Sequence, residues 1–314
     1  MGSYLFKRLG ASLLTALLAS FLVFLLVRMV PGDVVAQMMG QAGGDAAEQS
    51  LRNFFGLDRP WYIQYFVWLG GVLQGDFGIS WTRGLPVGPM VLSAFLVTLE
   101  LGLLTLTLAT LIGVPLGIIA GIYEGRPIDT AIQGFNILGL SAPVFWVGLM
   151  ILVTVSGVFS WSPPLRFVPP TRSLSDNLSI LILPILSLAL LQVAAYSQFV
   201  RQNVVSAMHQ QYVRTAIAKG LPTRIVFFKH ILRNVMIPTV TFMGLILIQI
   251  LGGVVIIESL FALPGLGRLL LSAIETRDYP VVQGALLLVV LVAMVINLIV
   301  DIAYQAIDPR VRVS

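Results

Sequence analysis

The chain has 314 residues, of which 57% are hydrophobic and 11% charged, with a net charge of +5. A soluble domain carries roughly 25% charged residues, so this composition excludes a soluble enzyme or carrier and indicates an integral membrane protein. Cysteine is absent, which excludes disulfides, thiolate metal sites and thiol catalysis.

A spanning helix needs about 20 mostly apolar residues, and six segments qualify: 9–27, 97–123, 132–159, 179–200, 238–257 and 281–300. The first follows Lys7 and Arg8 and runs into Arg28 with no small-residue cleavage pattern, so residues 1–30 read as an uncleaved anchor. Residues 31–92 then form an extramembrane segment with two short helices, 45–55 and 61–74. Gly56-Leu57-Asp58-Arg59-Pro60 turns between them, and Gly75-Asp76-Phe77-Gly78 ends the second. Residues 93–314 form the transmembrane domain proper. Its outer loop 160–176 carries Pro163, Pro164, Pro169 and Pro170 and is expected to be extended.

Charge asymmetry orients the chain. With the N-terminus inside, the cytoplasmic face collects Lys7, Arg8, Arg126, Arg310, Arg312 and all the cations of the stretch 201–237, against Glu124, Asp129 and Asp308. On the other face acids balance the arginines. Both termini are therefore expected in the cytoplasm, and the net charge calls for no nucleic-acid partner.

No phosphate-binding glycine loop, His-Glu-x-x-His motif or Gly-x-Ser-x-Gly elbow occurs. His209 and His230 share the basic stretch, so no metal site is expected in the spans. Glu100, Glu258 and Asp301 fall near span ends, where a carboxylate reaches an interface cheaply. The deeper polar residues Asn136, Ser141 and Gln249 are candidates to line a pathway, although interhelical hydrogen bonds explain such residues equally well. Pro143 is expected to loosen the third span and Pro115 to kink the second. Gly113, Gly117 and Gly121, four apart, put a small-residue stripe on one face of the second span, suited to close packing against another helix.

The stretch 201–237 holds six basic residues (Arg201, Arg214, Lys219, Arg224, Lys229, Arg233) and no acid. From Val204 to Ala218 the apolar residues share one helical face, Gly220-Leu221-Pro222 stops that helix, and Thr223 offers an N-cap to the next. Two readings are equally open on physical grounds. One is a blunt cytoplasmic projection; the other is a basic helix resting on anionic headgroups.

Arg214-Thr215-Ala216-Ile217-Ala218-Lys219-Gly220-Leu221 resembles the coupling loop of ABC importer permeases, in particular the B-type subunit of the dipeptide/oligopeptide/nickel group. The same group is resembled by Arg28-Met29-Val30-Pro31-Gly32-Asp33, by the two turn motifs of the outer segment, and by Glu258-Ser259-Leu260-Phe261-Ala262-Leu263-Pro264-Gly265-Leu266-Gly267. Arg277-Asp278-Tyr279-Pro280 and Asp308-Pro309-Arg310 complete the set, in the family's order. The general loop pattern opens Glu-Ala-Ala; Arg214-Thr215-Ala216 lacks the glutamate, as in the peptide branch.

The resemblance implies an all-α polytopic fold: the type I importer bundle of five core spans plus an extra N-terminal span, six transmembrane helices in all. It implies a role for Arg214, Thr215, Ala216, Lys219, Gly220, Leu221 and Arg224 in engaging an ATPase. The partners implied are a homologous second permease, two cytoplasmic ABC ATPase subunits or domains, an extracytoplasmic solute-binding protein and membrane lipid, in a prokaryotic cell membrane. The chain itself would be no enzyme and hold no cofactor, with ATP and Mg on the partner ATPases. Peptides are the expected substrate class; nickel chelates, glutathione and oligosaccharides are the alternatives within the group. The rival class is a secondary, ion-coupled transporter, which would call for a coupling-ion site near the membrane midplane.

Overall fold

The computed structural model of the chain describes residues 2–29, 35, 45–164 and 166–307. Regular structure among them is helical, apart from one isolated antiparallel bridge between Ile79 and Pro86. The motif residues Val30 to Asp33 and Asp308 to Arg310 lie outside the described residues.

Helix α1 spans Gly2–Met29, α2 Asp45–Phe54 and α3 Trp61–Leu73, the last two close to the expected bounds. Helix α4, Val87–Ile122, starts ten residues before the expected span and continues unbroken past Pro115. The expected third span is instead two helices, α5 (Pro127–Ser141) and α6 (Val144–Phe159), bent by 102°. Pro143 explains the break: it has no N–H to donate and drives Ala142 to an extended conformation, φ −80° and ψ 128°.

Among its described residues the loop after α6 holds no helix or strand: Ser160 is left-handed (φ 49°), Arg166 sits at a bend and residues 170–172 form a turn. Helix α7 follows at Leu174–Met208, with the Ser173 hydroxyl accepting the Asp176 N–H at its start. Helix α8 is Gln211–Ala218. A helical turn Thr223–Ile225 then passes through a π-helical stretch, Val226–Leu232, into α9, Arg233–Gly253. Short helices α10 (Val255–Leu260) and α11 (Leu266–Glu275) precede α12, Tyr279–Ile307.

Five helical segments are long and apolar enough to cross a bilayer, and the bent α5–α6 pair makes a sixth if it counts as one span.

The chain divides into two compact units. The first comprises Met1–Phe95 and Arg268–Met294. There α1 packs on α3: the Ser20 and Tyr65 hydroxyls lie 3.0 Å apart, and the Phe21 and Phe24 rings sit 5.3 and 5.4 Å from Tyr65. Asp278 is 2% exposed and gathers the turn after α3. Its carboxylate accepts from the Ser80 and Thr82 hydroxyls at 2.5 and 2.7 Å and from the Trp81 N–H at 3.0 Å. The Arg277-Asp278-Tyr279-Pro280 motif thus has a physical purpose, holding residues 80–82 in place.

The second unit comprises Leu96–Gly267 and Val295–Ser314. Helix α7 is its axis, with far more of its span buried within the chain than any other. A Cβ at Gly113 would lie 2.8 Å from the Val193 carbonyl oxygen. One at Gly117 would lie 2.6 Å from that of Ser197, and one at Gly121 2.6 Å from Val204 Cβ. The glycine stripe of α4 therefore meets the backbone of α7 directly. In lipid, where no hydrophobic force draws helices together, such contact and interhelical hydrogen bonds supply the attraction. On other faces of α7, Gly139 of α5 faces Ala194, Gly148 of α6 faces Ser187, and Phe242 of α9 stacks on Phe199 at 4.1 Å.

Glu258 does not reach an interface, as its position near a span end suggested. It is fully buried within this unit and accepts from the Thr98 hydroxyl at 2.5 Å, while the same hydroxyl accepts the Leu266 N–H at 2.8 Å. A Cβ at Gly265 would collide with the Glu258 carboxylate, and one at Gly267 would sit 2.7 Å from Val255 Cα. The glycines of that motif make room for the buried carboxylate.

Candidate coupling segment

The helix expected from Val204 to Ala218 is interrupted at His209 and Gln210. Helix α7 ends at Met208, Gln210 is extended (φ −71°, ψ 149°) and α8 begins at Gln211. Val213 and Ala216 on α8 are buried in the same cluster as Val204, Ala207, Val226 and Ile231. Asn234 at the start of α9 donates to the Tyr212 hydroxyl at 3.1 Å. Two apolar pegs and one hydrogen bond thus seat α8.

The far end of α8 is closed by backbone geometry. Leu221 N–H donates to the Ala216 carbonyl (3.3 Å) and Gly220 N–H to that of Ile217 (2.9 Å), with Gly220 at φ +79°. These paired bonds form a Schellman cap, whose left-handed residue is normally glycine. Pro222 cannot continue the helix, and its carbonyl instead accepts from the N–H groups of Ile225 and Val226 at 2.9 and 3.1 Å. The next helix is therefore started by the Pro222 carbonyl, with Thr223 as its first helical residue rather than its cap. The Thr223 side chain lies outside the described residues.

What this rigid turn exposes is mixed. Arg214, Thr215, Lys219, Gly220, Leu221 and Arg224 are exposed, while Ala216 faces inward. Ile217 is 59% exposed, and Ile225 and Phe228 are also open. Among the described residues none of Arg214, Lys219 and Arg224 has an acidic partner. Arg201 does not belong to this free set, because Asp129 binds it at 2.6 Å. The surface is an apolar knob ringed by cations.

The three candidate pathway residues lie apart in kind. Asn136 is 1% exposed and donates to the Ser197 hydroxyl at 3.1 Å, so it joins α5 to α7. Ser141 and Gln249 are exposed, Ser141 donating to the Ile137 carbonyl at 2.7 Å. No group of three or more carboxylate or histidine ligands occurs among the described residues.

Residues 113–313 match the family described as "Binding-protein-dependent transport system inner membrane component", and residues 1–101 match the corresponding N-terminal family. The chain belongs to this permease family. The dipeptide transport system permease protein DppB of Escherichia coli K12 is 34% identical over 336 aligned residues, with 99% of each chain covered. The glutathione transport system permease protein GsiC of the same strain is 37% identical, also with 99% of each covered. Among solved structures, the MetNI methionine ABC transporter in an inward-facing conformation superposes with a TM-score of 0.54 at 15% identity, covering 70% of this chain and 96% of that one. An amino acid ABC transporter with histidines gives 0.53 at 16% identity, covering 71% and 94%.

The fold is thus that of an ABC importer permease, and the permease is a multi-pass membrane protein of the peptide/nickel importer group. Permeases of this family work with ATPase and substrate-binding partners and are not themselves enzymes.

Proposed function

We propose that this permease forms half of the translocation pathway of an ATP-driven importer of di- or oligopeptides, and that residues 211–224 transmit the ATPase stroke. The observation that carries the reading is the Schellman-capped turn after α8. It is seated in the core by Val213 and Ala216 and presents Ile217 and Leu221 within a ring of Arg214, Lys219 and Arg224, none of which has an acidic partner among the described residues. An apolar knob with cations around it suits a groove with acidic walls on a separate ATPase subunit, where ATP and Mg are bound.

The relatives are named for dipeptide and for glutathione transport; the first supports the peptide class, and glutathione stays the alternative. Charge asymmetry supports a cytoplasmic knob and cytoplasmic termini. A homologous second permease would complete the pathway, with the exposed Ser141 and Gln249 as lining candidates, and an extracytoplasmic binding protein would deliver substrate.

The test is affinity purification from native membranes in mild detergent, with the partners identified and ATP hydrolysis assayed. Recovery of a second permease with ATPase chains, and hydrolysis stimulated by a peptide-loaded binding protein, is expected. A chain that purifies alone and transports without ATP overturns the proposal.

A further inference from the structure

The 13 residues of α3, WYIQYFVWLGGVL, include no charged side chain. The helix would be roughly 20 Å long, too short for a bilayer core of about 30 Å. Its outward face is apolar: Trp61, Tyr62, Phe66, Val67 and Leu73 are between 50 and 78% exposed. A patch of this kind marks a surface that something covers.

Its register against α1 says what does. Tyr65 meets Ser20, and the Trp61 ring lies 6.3 Å from Phe21. Ser20 and Phe21 sit in the middle of the spanning segment Gly10–Met29. Phe21 precedes Met29 by eight residues, roughly 12 Å along the helix. Trp68 packs nearer the Arg28 end, 6.1 Å from Phe24. Helix α3 therefore crosses α1 beside the middle of its apolar stretch. Its one amide side chain is satisfied within the protein, as an apolar surrounding requires: Gln64 Nε2 donates to the Arg59 carbonyl at 2.6 Å, and its Oε1 accepts from the Arg28 guanidinium.

At the Arg28 end a cavity of about 670 Å³ opens between α1, α3 and the turn after α3, walled by Phe24, Arg28, Arg59, Val67, Trp68 and Trp81. Asp76, the one carboxylate on its rim among the described residues, accepts the Gly78 N–H at 2.8 Å. Two arginines line the cavity, Arg28 with its guanidinium 5.2 Å from the Phe24 ring centroid, beside the aromatic Trp68 and Trp81, a lining that matches a phosphate above acyl chains.

We propose that α3 is embedded in the leaflet at the Arg28 end of α1 and that this cavity holds the headgroup of an anionic phospholipid. Arg28 and Arg59 meet the phosphate, and Phe24, Val67 and Trp68 meet the first methylenes of the chains.

This chain has no cysteine, so with partner subunits prepared cysteine-free a single thiol can be labelled without background. A nitroxide on F66C, in the complex reconstituted in nanodiscs of phosphatidylglycerol and phosphatidylcholine, is expected to relax with molecular oxygen and not with a water-soluble nickel chelate. N53C on α2 is the aqueous control. Relaxation of F66C by the chelate puts α3 in water, and relaxation by neither reagent puts another protein chain over it; each overturns the proposal. In parallel, lipid retained by the purified complex is measured by mass spectrometry. Phosphatidylglycerol affinity is expected to fall roughly tenfold or more in the R28Q/R59Q variant, whose fold is verified by an unchanged F66C relaxation pattern. Equal retention by wild type and variant, or phosphate recovered without acyl chains, overturns the headgroup site.

Discussion

Arg201 grips Asp129 through two parallel hydrogen bonds, Nε to Oδ1 at 2.6 Å and an Nη to Oδ2 at 2.7 Å. The same carboxylate accepts the Gly125 N–H at 2.9 Å. The turn that begins α5 is thereby fastened to α7 one short helical stretch before the coupling segment. Any push on α8 that shifts the end of α7 must carry the start of α5 with it.

Breaking this pair leaves a buried charge unmatched, which costs about 3–5 kcal/mol. Arg201→Ala is expected to lower the thermal stability of the detergent-solubilised complex by that order. It should also reduce stimulated ATP hydrolysis more than basal hydrolysis. A thermal-shift curve beside the two hydrolysis rates is the check; unchanged stimulation would mean the pair is local ballast.

The glycine stripe makes a sharper structural prediction. Gly117→Leu forces a side chain into the Ser197 carbonyl, 2.6 Å from where its Cβ must stand. Backbone cannot retreat as a side chain can, so α4 and α7 must separate and folded yield should collapse. Gly134→Ala on α5, with nothing within 4 Å of its Cβ, is the matched control and should purify normally. Monodispersity of the purified variants reads the outcome.

Asp278→Ala removes the acceptor shared by Ser80, Trp81 and Thr82. Each hydrogen bond to a charged group contributes about 1.5–3 kcal/mol, so residues 79–86 should gain amide exchange by roughly tenfold or more. Exchange followed by mass spectrometry on that peptide, with the α7 peptides as internal reference, tests it. Equal exchange would place the hold on this turn elsewhere.

The spans were legible because lipid imposes a length and a composition, and the short helices 45–55 and 61–74 because glycine and proline mark their ends. Pro143 announced a weak point, but the 102° bend depends on how α5 and α6 each pack against α7. No glycine or proline marks the break at His209 and Gln210, so the apolar periodicity ran across it. The buried pairings of Glu258 and Arg201 were not legible, for one reason. Their partners, Thr98 and Asp129, are 160 and 72 residues earlier in the chain, and no local pattern pairs them. Asn136, open to either reading from its residue type, donates to Ser197 because α7 brings that hydroxyl to it.

The most direct measurement of the coupling claim is stimulated ATP hydrolysis by the reconstituted complex carrying substitutions at Gly220. Its φ of +79° is one that asparagine tolerates and a β-branched residue does not. Gly220→Val is expected to insert and assemble normally, keep basal hydrolysis and lose stimulation by the loaded binding protein, while Gly220→Asn retains most of it. Full stimulation in the valine variant would contradict the account, because the segment would then transmit nothing.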